Sequence, residues 1–254
     1  DFAWMNKVVA VDAAALTVTV QPGVIWQRLD KALREQGLAL RTYPSSAPSS
    51  TVGGWLAQGG VGFGAFEFGA FRDSVVSCRV VLPGGETREF SGADLDLVSD
   101  AEGITGLITE VTLRVRRAEP DALWGIRFDT ADGLAGVLSA IRQAKLPIWS
   151  VSFINPKMGK LKNQLPPRME HGHPVHEHRP TVPQGYIAIL AAPESRRAAI
   201  ETQLSSLAKA PGGQMLDAEL VQHEWDERFD LMHVKRLGPS IAPAEVLVPL
   251  ANLS

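Results

Sequence analysis

The sequence predicts an α+β protein in two parts. Three observations carry this. Residues 1–118 mix strand-like alternation with one clear helical repeat and a dense run of glycines. Glu119-Pro120-Asp121 forms a natural boundary. Beyond it, residues 119–254 read as β-α-β, an insertion at about 155–183, and a second β-α-β. Two such units commonly make a ferredoxin-like sheet with helices on one face.

The elements follow in order. Leu16 to Val20 alternates like a half-buried strand, and Pro22-Gly23 breaks it. Ile25, Leu29, Ala32 and Leu33 recur at helical spacing, with Gly37 as the stop. Thr51 is a good N-cap for a short helix reaching Gly60. Ser74 to Leu82 and Thr87 to Phe90 flank Pro83-Gly84-Gly85, a hairpin signal. From Thr109 to Arg117, Val111, Leu113 and Val115 face in, while Thr112, Arg114 and Arg116 face out. In the second part, strands are expected at Leu123–Phe128, Ile148–Ile154, Gly185–Ala191 and Gln214–Asp217, with helices at Ala131–Gln143 and Glu194–Ala208.

Bulk properties exclude several classes. The 254 residues are 45% hydrophobic and 21% charged, ordinary for a globular protein with a real core. A net charge of −3 sets up no basic field for nucleic acid. No apolar run approaches the ~20 residues that span a bilayer. The opening Asp1-Phe2-Ala3-Trp4 lacks the basic start and apolar block of a signal peptide. The single cysteine, Cys78, closes no intrachain disulfide and reads as a buried strand residue. The expected location is cytoplasmic, with peripheral membrane association as the alternative. The missing initiator Met and the abrupt ends suggest cuts through a larger protein.

The segment Gly53 to Gly69 holds seven of the 23 glycines. Glycine costs backbone entropy, so this density needs a reason. One is close approach of backbone amides to a phosphate or a flat ring; the other is a tightly turning loop. There is no P-loop pattern. Gly60-x-Gly62-x-x-Ala65 follows no strand and opens no clear helix, so it is not a dinucleotide fingerprint.

Order says more than composition. Pro44-Ser45-Ser46, Ser50-Thr51-Val52-Gly53-Gly54, Ala57, Gly59-Gly60, Gly69 and Asp73 resemble the flavin-binding region of the FAD-linked oxidases, the vanillyl-alcohol oxidase and para-cresol methylhydroxylase (PCMH) superfamily. Glu102-Gly103-Ile104-Thr105-Gly106-Leu107-Ile108-Thr109-Glu110 resembles a second signature of that family. Val80 to Glu86 resembles the strand-turn-strand between them. Ala101 stands where the signature has Ser, and Thr105-Gly106 replaces Leu-Gly. The branch most similar is the glycolate oxidase and D-lactate dehydrogenase type.

The resemblance implies a fold: the second half of a PCMH-type FAD-binding domain followed by an incomplete ferredoxin-like cap domain, a central fragment of the family's chain. It implies FAD as cofactor, held by Pro44, Ser45, Thr51, Val52, Gly53, Gly54, Ala57, Gly59, Gly60, Gly69, Asp73, Glu102, Gly103, Gly106 and Ile108. Amides of Gly53 and Gly54 would approach phosphate or ring oxygens; Gly103 and Ile108 would give main-chain contacts near the adenosine. It implies oxidation of a small 2-hydroxy acid by hydride transfer to flavin. Electrons would pass to a redox partner: an iron–sulfur subunit, an electron-transfer protein or a quinone. The alternative is a non-catalytic or split subunit that completes a flavin site on another polypeptide.

Two polar clusters remain. Trp225-x-x-Arg228 matches the branch's Trp-x-x-Arg, which implies that Arg228 pairs with the substrate carboxylate, as a planar guanidinium fork suits. A solvated face of a helix running from His223 through Arg236 is the other reading. His171, His173, His176 and His178 with Glu177 could ligate a divalent metal. Their composition favours a polar loop, and metal-using members of the resembled family draw ligands from elsewhere, so no metal is expected.

Overall fold

The structure, a computed structural model, describes residues 2–167, 169, 170, 173, 174, 178–242 and 252. It divides into two units, Asp1–Pro120 and Asp121–Ser254.

The first unit is built on six strands: β1 (Val8–Asp12), β2 (Thr17–Val20), β3 (Leu38–Leu40), β4 (Val75–Val81), β5 (Thr87–Ser91) and β6 (Leu107–Arg117). The order is β1-β2-β6-β4-β5, and β3 also pairs with β6; every pairing is antiparallel. β6 is the hub. Its inward residues Val111, Leu113 and Val115 are at most 2% exposed, as alternation requires. Helix α1 (Trp26–Arg34) buries Trp26, Leu29 and Leu33, three to four residues apart, and packs on β3. Helix α2 (Val52–Gln58) packs on β6. A single helical turn, α3 (Ala65–Phe68), follows.

One expectation fails here. Arg116 is 9% exposed, although alternation places it on the outer face. Strand β3 pairs with the end of β6 and covers it, and Arg116 Nε donates to the Leu40 carbonyl at 3.1 Å. Pairing from a distant segment overrides the local period.

The second unit holds β7 (Asp121–Phe128), α4 (Ala131–Gln143), β8 (Ser150–Ile154), α5 (Pro156–Lys162), a short ribbon β9 (Met169–Glu170) with β10 (His173–Pro174), β11 (Tyr186–Pro193), α6 (Arg197–Lys209), β12 (Gln214–Met215) and α7 (Ala218–Asp226). Its main sheet runs β12-β7-β11-β8, antiparallel throughout. Counting only those four strands and the helices α4 and α6, the chain order is βαββαβ and the spatial order is fourth, first, third, second. That is the ferredoxin-like arrangement expected above. Thr130 caps α4, its hydroxyl accepting from Gly133 N at 3.1 Å. Ile126 and Phe128 lie on the face that meets Gly133 and Gly213, beside α4 and α6. Gly125, of opposite parity, lies under α7: a Cβ there would sit 2.4 Å from Val221. Helices therefore cover both faces of β7.

The stretch expected as a loop insertion, about 155–183, begins as helix α5. Asn155 caps it, accepting from Met158 N at 2.8 Å, and Pro156 occupies its first turn. Asn163 then bonds both the carbonyl and the amide of Val182, each at 2.9 Å, and so closes the stretch on itself. No helix among the described residues is long and apolar enough to cross a membrane.

Candidate functional site

In the first unit the glycine-rich motif folds around α2. Thr51 is extended and its hydroxyl accepts from Gly54 N at 3.3 Å, the cap that the sequence announces. Before the helix, Val52 N donates to Val24 O and Gly53 N to Pro22 O, both at 2.9 Å, which pins the motif to the turn after β2. Gly53 is glycine for packing: a Cβ would lie 2.3 Å from the Pro22 Cβ. After the helix, Gly59 has φ +76° and lies against Asp100, where a Cβ would be 2.8 Å from the Asp100 Cβ.

The two signatures meet. Glu102 N donates to the Ala57 carbonyl at 2.8 Å and Asp100 N to the Leu56 carbonyl at 3.3 Å. Asp100, Glu102 and Gly103 have φ values of +61°, +51° and +81°. Two non-glycine residues held left-handed within three positions store strain, which typically persists where function requires it. A second junction forms at the antiparallel bridge between Tyr43 and Phe63. It brings the Pro44-Ser45-Ser46 turn beside Gly60-Val61-Gly62. The ring of Trp55 lines this glycine stretch, stacks on Phe71 at 4.5 Å and meets Trp26 edge-on at 5.4 Å. That aromatic trio, sharing Trp26 and Phe71 from separate segments, carries no signature spacing in the sequence.

Not every expected contact group is available. The amides of Gly53 and Gly54 already donate to Pro22 O and Thr51 Oγ1. Helix entry consumes them, so they are not the phosphate donors that the glycines suggested. Ile108 sits in the β4–β6 ladder opposite Val80 with its side chain buried, since β6 starts at Leu107 rather than after the signature. Asp73 Oδ2 accepts from Ala70 N at 3.0 Å and closes the Gly69–Asp73 turn. Gly106 abuts the Val81 carbonyl at the head of β6. Pro44 and Val52 are buried; Ser45 and Gly103 are exposed.

Other donors remain. Among the described residues, the amides of Ser45, Ser46, Gly60 and Val61 have no acceptor; Ser45, Ser46 and Val61 are exposed and Gly60 is half-buried, on one pair of adjoining turns. The hydroxyl of Thr42, next to this turn, is buried without a partner. Clustered free amides beside glycine-lined backbone suit an oxygen-rich ligand such as a pyrophosphate or the edge of a flavin ring. The residues therefore fit FAD, and the amides of Ser45, Ser46, Gly60 and Val61 would be open to donate to it.

In the second unit, α7 ends at Asp226, and the turns after it are 3-10 rather than the continuous helix expected through Arg236. Arg228 lies in the first such turn. Its guanidinium carbon is 4.5 Å from the Trp225 ring centroid and 4.4 Å from that of Phe229, and Nη1 donates to the Trp225 carbonyl at 2.6 Å. Trp225 is 4% exposed and packs edge-on against Trp149 at 6.0 Å. The Trp-x-x-Arg spacing thus works as a stacked pair. His171, His176 and Glu177 of the histidine run lie outside the described residues; His173 and His178 are exposed, and His178 Nδ1 is 3.1 Å from Glu219. Cys78 is 2% exposed, and burial, reinforced by Glu89, pushes its thiol up to about 11.

Residues 1–91 match the family model described as an FAD binding domain. Over 170 residues the chain is 34% identical to alkyldihydroxyacetonephosphate synthase of Dictyostelium discoideum, covering 63% of this chain and 28% of that protein. It is 30% identical over 165 residues to the mitochondrial D-lactate dehydrogenase [cytochrome] of Arabidopsis thaliana, 61% of this chain and 29% of that one. It is 30% identical over 164 residues to glycolate oxidase subunit GlcD of Bacillus subtilis, 61% and 35%. The chain therefore spans about a third or less of the length of these relatives. A solved structure of alkyldihydroxyacetonephosphate synthase matches in fold with a TM-score of 0.75 at 23% identity, over 92% of this chain and 47% of that one. The FAD binding domain match at residues 1–91 gives FAD as the cofactor of that part, and the chain is similar to proteins of the glycolate oxidase and D-lactate dehydrogenase type.

Proposed function

We propose that the protein carrying this chain oxidises a small 2-hydroxy acid of the glycolate or D-lactate class. The first unit is its FAD-binding part and the second its substrate cap. Bound FAD supplies the hydride acceptor. This chain's residues hold and orient: the amides of Ser45, Ser46, Gly60 and Val61 receive oxygens of the cofactor, and Arg228 takes the substrate carboxylate. The observation that carries the reading is 30% identity to a D-lactate dehydrogenase over 165 residues and to a glycolate oxidase subunit over 164. Stacking on Trp225 uses the faces of the Arg228 guanidinium, whereas a carboxylate is gripped by its edge. A redox partner, whether iron–sulfur subunit, electron-transfer protein or quinone, would reoxidise the flavin.

The test is anaerobic bleaching of the flavin band. Addition of D-lactate or glycolate should bleach it within the mixing time of a manual assay. Arg228→Ala should raise KM for these acids about 10- to 150-fold, the loss of a charge-assisted hydrogen bond worth ~1.5–3 kcal/mol, while leaving the flavin spectrum intact. A band unmoved by every 2-hydroxy acid overturns the substrate assignment. A second reading, chemistry on an alkyldihydroxyacetonephosphate-type substrate, draws on the 34% identity to such a synthase. It predicts unbleached flavin with hydroxy acids and an Arg228 variant that loses phosphate-bearing substrate instead. A folded, colourless protein that turns yellow only on mixing with another polypeptide would mark a split subunit.

A further inference from the structure

Away from the flavin motifs, one buried ionic cluster in the second unit is used by neither reading above. Helix α7 and the turn after it carry His223, Glu224 and Glu227. Together with Lys162 at the end of α5 and with Arg179, they line a cavity of about 170 Å³. His223 and Glu227 stand one helical turn apart, with Nε2 and Oε2 3.6 Å from each other. One donor atom from each of His223, Glu224 and Glu227 lies within 4.8 Å of the other two.

A second observation points to a ligand there. The Glu224 side chain is 3% exposed. Its Oε2 accepts from Lys162 Nζ, but its Oε1 is buried with no hydrogen-bond partner among the described residues. Lys162 Nζ also lies 3.9 Å from Glu227 Oε2, and Arg179 is 3.6 Å from Glu227 Oε1. Two cations, Lys162 and Arg179, face the two carboxylates, yet one oxygen of Glu224 is left without a hydrogen bond among the described residues.

A divalent ion would use all three groups. Two donors bound tetrahedrally to one ion at about 2.0–2.2 Å stand roughly 3.4 Å apart, close to the His223–Glu227 separation. Glu224 needs only a small carboxylate swing to join them. We propose that His223, Glu224 and Glu227 form a divalent-metal site of the zinc type, in which the Lys162 ammonium competes with the metal for the same two carboxylates. Ligation would lock α7 to its following turn and release Lys162 from Glu224. The proposal is independent of the redox reading.

The test is calorimetric titration of chelator-stripped protein with Zn²⁺, on a background with His171, His173, His176 and His178 replaced by Ala, so that the histidine run contributes nothing. One equivalent should bind. His223→Ala and Glu227→Gln, both at half-buried positions, should each weaken binding at least tenfold. Lys162→Met, which removes the competitor, should tighten it about tenfold. Absence of saturable binding, or equal affinity in the His223 and Glu227 variants, overturns the site. Unchanged or weaker binding in a folded Lys162→Met protein overturns the competition. If that variant does not fold, the other two still decide whether the site exists.

Discussion

Replacing Lys162 with Met removes the partner that the Glu224 carboxylate has among the described residues. The two side chains are 10% and 3% exposed, so bulk water replaces the ammonium poorly. Breaking a buried pair from one side typically costs about 3–5 kcal/mol, because the remaining charge is desolvated and uncompensated. Glu224 sits at the harsh end of that range, since its second oxygen already lacks a donor. For a unit of this size 1 kcal/mol moves the midpoint by about 3–5 °C, so the transition should fall by roughly 10–20 °C. Differential scanning calorimetry with a chelator present reads this directly. Lys162→Met/Glu224→Leu should recover most of the loss, since a well-packed apolar pair often equals a buried ion pair. A drop below about 3 °C in the single variant, or a double variant no better than the single, would refute the reasoning. The pair would then be solvated rather than buried.

Gly53→Ala forces a Cβ to within 2.3 Å of the Pro22 Cβ. The clash is with ring and backbone atoms, so chemical denaturation should show a loss of about 1–3 kcal/mol, and FAD retention on gel filtration should drop with it. Thr51→Ala removes the acceptor for Gly54 N and should cost ~1 kcal/mol by the same denaturation assay. Cys78 should resist iodoacetamide at pH 8 in the native protein and react once urea unfolds it. Its thiol is raised from the ordinary 9.0 to about 11. Folding therefore favours the neutral form, and this contribution to stability is complete below pH 9 and lost as pH climbs through 11. Native thiol titration with a midpoint near 9 would contradict the burial.

The elements that sequence alone placed well were those whose pattern and caps agreed. Helix α4 carries its own cap at Thr130 and an apolar face at Leu134, Val137, Leu138 and Ile141, so its bounds match residue for residue. The β4–β5 hairpin has its turn chemistry between the strands. Expectations resting on one local rule did worse. Arg116 obeyed alternation until β3 paired over it. Residues 155–162 looked like a polar loop because Asn, Pro and Gly are poor helix formers singly, yet Asn155 and Pro156 make a good helix start when read together. At the flavin motifs, residue order showed which segments belong together, but not which amides stay open. That depends on Pro22 and Thr51 taking the donors of Gly53 and Gly54.

Sequence by itself determined the two-part α+β plan, the family signatures and FAD as the cofactor. These rest on short-range periodicity and on motif order, which are properties of the chain. Only the tertiary structure decided that Glu102 meets Ala57, that Ser45 and Ser46 adjoin Gly60 and Val61, and that Lys162 is buried against Glu224. Each of those contacts joins residues at least fourteen positions apart. Their hydrogen bonds and charges gain strength from burial, and burial exists only once the strands and helices have packed.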